Sequence, residues 1–259
     1  MTITATDLLS GKSLLGGKSP LSGKSPLGGK TILITGSSRG IGASIAKLAA
    51  AYGAKVILHG KTQSAELVNL ASEIGAEYIS CDVSDELQVK KAVEALGEID
   101  VLVNSAGVNL SKPFLEQTTE SWKETFDVNV LGTVNFSKAV LPQMIRNRQG
   151  KIINIASIKG YLHIPGSTAY AASKAAIMSL TSNMAKEFAP HILVNAVAPG
   201  FTDTTMTEKT LTDRIRKQID QIPLKRMARP EEIAEVILFL ASDKCNYMTG
   251  ETIKVSGGL

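Results

Sequence analysis

From Lys30 to the C-terminus the sequence predicts an α/β fold, a doubly wound parallel sheet of about seven strands with helices on both faces. Three observations carry this. Strand-length apolar runs alternate with longer stretches of helical period, the order that generates βαβ crossovers. Several runs are apolar almost throughout rather than at every second residue, as strands covered on both faces must be. A glycine-rich turn follows the first run and opens a helix.

In order, the strands are T-I-L-I-T from Thr31, K-V-I-L-H from Lys55, A-E-Y-I-S from Ala76 and D-V-L-V-N from Asp100. K-I-I-N-I-A from Lys151, L-V-N-A-V-A from Leu193 and T-I-K-V-S from Thr252 complete the set. Between them lie amphipathic stretches such as I-G-A-S-I-A-K-L-A-A-A-Y from Ile41. Another, D-E-L-Q-V-K-K-A-V-E-A-L, begins behind Ser84 with acidic residues in its first turn, a favourable helix start. A single long helix is expected over roughly Glu120 to Arg148. Right-handed crossovers make this a Rossmann-type sheet, and residues 30–259 read as one domain.

Residues 1–29 differ. G-K-S recurs at Gly11, Gly17 and Gly23, and G-K-T follows at Gly29. A phosphate loop would need a glycine five residues ahead of each, where Thr6, Lys12, Lys18 and Lys24 stand. The repeat is therefore expected to be a flexible Gly/Lys/Ser/Pro arm. The whole chain has 259 residues, 44% of them hydrophobic, and a net charge of +4 without a basic block, so no nucleic-acid partner is expected. No apolar run approaches the ~20 residues that span a bilayer, so no membrane partner is expected either. Cys81 and Cys245 are far apart, which predicts reduced thiols in a cytoplasmic protein, and His59, His163 and His191 lack metal-ligand spacing.

The candidate chemistry begins with T-G-S-S-R-G-I-G, Thr35 to Gly42. Gly36, Ser38, Gly40, Ile41 and Gly42 sit between strand and helix, where a tight turn and a helix N-terminus suit a dinucleotide pyrophosphate. At the end of the second strand an acidic residue would bond a ribose 2′-hydroxyl. This chain has Gly60 and Lys61 there, and Arg39 lies in the glycine turn, so NADP(H) is expected over NAD(H). Asp82 and Val83 follow the third strand at the adenine edge. Asn104, Ala106 and Gly107 close the fourth near a ribose, and Pro199, Gly200, Thr202 and Thr204 end the sixth near a nicotinamide. Tyr170 and Lys174 share a helix face, an arrangement that predicts a phenol drawn toward phenolate by its ammonium neighbour. Ser157 ends the fifth strand, and Asn129 falls inside a helix, where a buried amide needs partners.

With T-G-S-S-R-G-I-G, N-S-A-G, N-V-L-G, Ser157, Y-A-A-S-K and P-G-F-T-D-T in this order, the chain resembles the short-chain dehydrogenase/reductases of single-domain type. Ser105 replaces the second asparagine of the usual N-N-A-G. The resemblance implies that Tyr170 is the general acid/base and that Lys174 perturbs it and binds the nicotinamide ribose. Ser157 would then bond the substrate oxygen, and Asn129 would hold a relay water. It further implies a carbonyl or thioester substrate, similar to those of 3-oxoacyl-thioester reductases or sugar and polyol dehydrogenases, and a homotetramer. A catalytically idle NADP-sensing or scaffold protein is the alternative of another class; the intact Asn, Ser, Tyr and Lys set speaks against it. Substrate choice is expected in Val108 to Phe114 and in a Thr-rich lid after Phe201, with His163 and Pro165 as further cleft candidates.

Overall fold

A computed structural model describes residues 25–162 and 164–259. Seven strands form one sheet: β1 Thr31–Ile34, β2 Lys55–Gly60, β3 Glu77–Ser80, β4 Val101–Asn104, β5 Gly150–Ile155, β6 Ile192–Pro199 and β7 Thr252–Val255. Their order is β3-β2-β1-β4-β5-β6-β7, all parallel. The order reverses between β1 and β4, so a crevice opens at their carboxyl ends, the usual ligand position in such sheets.

Strand side chains alternate between two cores. Ile32 and Ile34 join Val56, Leu58 and Val103 against helices α1 Gly40–Ala51, α2 Ala65–Ile74 and α9 Pro230–Ala241. Leu33, Ile57, Leu102 and Ile152 face α3 Glu86–Glu94, α5 Gly132–Asn147 and α6 Thr168–Phe188. Both faces are buried, which explains the nearly continuous apolar runs.

Two expectations change. The long helix expected from Glu120 is three pieces: α4 Thr119–Phe126, a π-turn Asp127–Leu131, and α5. The π-turn inserts a widened ring at Asn129 and turns its carboxamide inward. Apolar period alone does not register such a change of winding. The boundary at residue 29 also moves: Leu27 is 1% exposed and joins the α1 core, and its N–H donates to Tyr52 O at 3.1 Å. A single leucine in a Gly/Ser/Pro stretch carries no periodic signal. The G-K-S repeat at residues 11–24 lies outside the described residues.

Two short helices, α7 Thr205–Lys209 and α8 Asp213–Asp220, follow β6 where the lid is expected. Ile215 and Ile222 pack with Ile164 and Phe201 in a small core separate from the sheet. Among the described residues no helix is long and apolar enough to cross a membrane, and Cys81 and Cys245 are buried free thiols.

Candidate active site

The glycine turn is built against the end of β4. Gly36 has φ +63°, and a Cβ there would stand 2.7 Å from Ala106 Cα, so only glycine permits the approach. Thr35 fastens the two loops: its Oγ1 accepts from the N–H of Ser105 at 2.9 Å and of Ala106 at 3.0 Å. His59 fastens the turn from below. Its Nδ1 accepts from Gly36 N–H at 3.2 Å, so Nε2 carries the proton toward Cys81 O at 3.1 Å. Burial lowers the His59 pKa to about 4, and the ring is neutral. Neither role was visible in sequence, where Thr35 ends a strand and His59 reads as one polar residue in an apolar run.

The α1 N-terminus fits a dinucleotide phosphate. Arg39 is its N-cap in extended backbone, no side chain caps the first turn, and no acidic residue lies in it. Its backbone N–H groups and dipole are left for an anion. Ser38 and Ile41 lie half-buried on either side of the exposed Arg39, next to Gly40. Gly40 itself has φ +58° and faces Thr204, whose Cγ2 would lie 3.5 Å from an added Cβ. The loop after β6 therefore reaches the glycine turn.

At the corner expected to take the adenine, Lys61 pairs with Asp82 at 2.7 Å, its side chain 74% exposed. Asp82 also accepts from the Ser84 hydroxyl at 2.7 Å, and its pKa falls to about 2: the Lys61 and Ser84 bonds outweigh desolvation. The Val83 side chain is buried against Gly132, leaving no room there for a Cβ, so Val83 supports this corner from within. Asn104 likewise turns inward: its Nδ2 donates to Asn154 Oδ1 at 2.9 Å and lies 3.2 Å from Ser137 Oγ. Any contact of Asn104 with a ribose runs through its backbone.

Ser157, Tyr170 and Lys174 converge at the other end. Ser157 leaves β5 in extended backbone, and its Oγ accepts from Lys159 N–H at 3.2 Å. Tyr170 and Lys174 rise from the first turns of α6, with Lys174 Nζ 5.8 Å from the phenol ring centroid. Nζ donates to Ile155 O at 2.7 Å, and burial lowers its pKa to about 8. The expected fall in the phenol pKa is corrected here. Burial pushes Tyr170 up, and the nearby Ser157 hydroxyl only partly opposes it. Desolvating the phenolate outweighs the spacing argument, which counted charge but not solvent.

Asn129 is 1% exposed and fully bonded. Its Oδ1 accepts from Val108 N–H at 2.8 Å, and its Nδ2 donates to Val108 O at 3.0 Å and Ser173 Oγ at 2.9 Å. The carboxamide is thus spent on holding the β4 loop to α6, with Gly107 wedged between Asn129 and Lys174. Ser173, 0% exposed, is a further link that sequence reasoning passed over. Thr202 is buried, its hydroxyl donating to Gly200 O at 3.1 Å, and Thr204 caps α7. Ser157 and Tyr170 line a cleft with Gly200, Phe201, Met206 and Thr207, so the lid does reach the candidate catalytic groups. Pro165 is exposed and outside that lining, and His163 lies outside the described residues.

Residues 36–259 match the family model described as "Enoyl-(Acyl carrier protein) reductase". The 3-oxoacyl-[acyl-carrier-protein] reductase FabG of Thermotoga maritima is 42% identical over 238 residues, 88% of this chain and 96% of that protein. A gluconate 5-dehydrogenase from Burkholderia cenocepacia, solved with NADP and tartrate, is 31% identical at a TM-score of 0.86, covering 91% of this chain and 97% of that one. A 3-oxoacyl-[acyl-carrier protein] reductase from Brucella melitensis, solved with NAD, is 31% identical at a TM-score of 0.83, covering 91% and 93%.

Proposed function

The chain belongs to the short-chain dehydrogenase/reductase family, oxidoreductases acting on CH–OH and C=O groups, and from that premise we propose an NADP(H)-dependent carbonyl reductase. Its substrate is a 3-oxoacyl thioester or a related ketone. One observation carries the reading: Ser157 and Tyr170 line one cleft, and the buried Lys174 lies beside Tyr170, its Nζ 5.8 Å from the ring centroid.

When bound, the nicotinamide supplies the hydride. Gly36, Ser38, Gly40, Ile41 and Gly42 would hold the pyrophosphate, Asp82 and Val83 the adenine, and the loops at Asn104, Ala106 and Gly107 and at Pro199, Gly200, Thr202 and Thr204 the ribose and nicotinamide. Ser157 orients the substrate oxygen by hydrogen bonding. Tyr170, kept protonated by burial, donates its proton to that oxygen as negative charge develops on it. Lys174, charged below about pH 8, favours the phenolate left behind. Asn129 locks the loop that faces Lys174, and in this reading it also holds the relay water.

The NADP(H) preference rests on Arg39 and Lys61 at the 2′-position and on the lack of an acid at the end of β2. Exposed Lys61 would reach a 2′-phosphate by giving up its half-buried partner Asp82, a pair weakened by water on the lysine side. A second reading, a sugar or polyol dehydrogenase, is favoured by the likeness to the gluconate 5-dehydrogenase. A homotetramer in the cytoplasm completes the proposal. Exposed Leu131 and Ile145, at the π-turn and on α5, suit burial between copies, and light scattering reads the mass directly.

Oxidation of NADPH and of NADH is followed with acetoacetyl thioesters, keto sugars and diketones. NADPH-dependent turnover of at least one class is expected, and Tyr170→Phe should lose on the order of a hundred- to ten-thousand-fold in kcat. Full activity of Tyr170→Phe on any substrate that is turned over would remove the mechanism.

A further inference from the structure

The cleft holds one charged side chain that neither hydride nor proton transfer uses. Lys159 lines it beside Ser157 and Tyr170, and among the described residues no carboxylate does. Its Nζ donates to Ser167 Oγ at 3.1 Å and stands 5.6 Å from the Tyr170 ring centroid. Ser167 occupies the N-cap position of α6, yet its hydroxyl caps no backbone N–H. It meets Lys159 instead, and Ser111 Oγ at 3.1 Å. An uncharged acceptor thus fixes the ammonium in place. No ion pair of Lys159 exists among the described residues, and burial alone pushes its pKa down.

Holding a partly desolvated cation without a counter-ion costs free energy. An ammonium has three donors, and among the described residues their one hydrogen bond goes to a serine. Lys159 thus lines the cleft with donor capacity to spare, next to the phenol of Tyr170. We propose that Lys159 is the anion-recognition residue of the substrate cleft and selects ketones carrying a carboxylate a few bonds from the reducible carbonyl. The inference rests on the carbonyl-reductase reading and narrows its substrate to a keto acid or keto sugar acid. A 3-oxoacyl thioester has a neutral C(=O)–S group where such an acid has its carboxylate, so it offers Lys159 only a weak acceptor. A carboxylate there forms a charge-assisted hydrogen bond and neutralises the cleft.

The test uses the intact protein and matched ketones with NADPH: acetoacetate against ethyl acetoacetate, and 5-ketogluconate against fructose. The wild type should favour the acid of each pair in kcat/KM. In Lys159→Met the acid-to-neutral ratio should fall on the order of ten- to a hundred-fold, chiefly through KM, and Lys159→Arg should recover part of it. Calorimetry with tartrate in the presence of NADP+ gives a readout without turnover, and Lys159→Met should weaken that binding about ten-fold or more. An unchanged ratio, tartrate binding equal in both proteins, or no tartrate binding at all overturns the assignment and leaves the reductase reading intact. No turnover of any ketone, with tartrate binding still weakened by Lys159→Met, overturns the reductase reading and leaves the anion site standing.

Discussion

Lys61 and Lys174 place the same ammonium group at two ends of the sheet's carboxyl edge, in opposite surroundings. Lys61 is exposed and paired with Asp82, and its pKa is raised, first by that bond. Lys174 is 5% exposed, bonded to the main-chain carbonyl of Ile155, and lowered to about 8 by burial. Water screens the first, so its field is short and its partner exchangeable. The second is shut away from water, so its charge is costly to hold and stands 5.8 Å from the phenol ring centroid. In the proposed function the Lys61 corner would set cofactor preference at low energetic cost, while the Lys174 corner would keep a costly charge for the chemistry.

The largest way to break this contrast is Lys174→Met. It removes the buried charge and should lower kcat at least about a hundred-fold, measured as NADPH oxidation with any ketone the wild type reduces. A loss as small as that of a surface lysine would erase the difference between the corners.

His59 sharpens it from another side, because this residue is buried without charge. Its folded pKa of about 4 lies below the ordinary 6.5, so the folded form binds fewer protons between those values. The stability it contributes is complete above pH 6.5 and is lost as pH falls toward 4. The expected slope is roughly 1.4 kcal/mol per pH unit in that window, read from denaturant titrations. His59→Gln, which keeps a donor and an acceptor, should flatten the slope. An equal slope in both proteins would assign the acid sensitivity elsewhere.

Lys61→Asp probes the exposed corner and should give the smallest change. The ratio of NADPH to NADH in kcat/KM should fall by about ten-fold, since an exposed contact contributes little more than a kcal/mol. An unchanged ratio would leave Arg39 as the determinant.

Much of the molecule was legible in its residues because the patterns record burial. All seven strands fall where the apolar runs stand, the glycine turn and Ser157 lie at the carboxyl ends of β1 and β5, and Tyr170 and Lys174 come up beside Ser157. What was not legible depends on three-dimensional surroundings. The π-turn at Asn129 changes winding without changing the apolar stripe. Leu27 packs from outside any periodic segment. The rise of the Tyr170 pKa reflects lost solvent, which spacing does not encode. Lys159 stood two residues from Ser157, but its cleft position emerges only once the loop brings Ser167 to it. Some signal was there: a lysine between a strand-end serine and a helix start is placed to enter the cleft.

The measurement closest to the central claim is the pH profile of kcat/KM for ketone reduction with NADPH, for the wild type and Lys174→Arg. If the buried ammonium supports the Tyr170 proton transfer, the wild-type profile is level below about pH 8 and falls above it, as Lys174 loses its proton. Arginine stays charged throughout, so in Lys174→Arg the overall rate drops but the break moves to higher pH. The same break near pH 8 in both proteins would contradict the account.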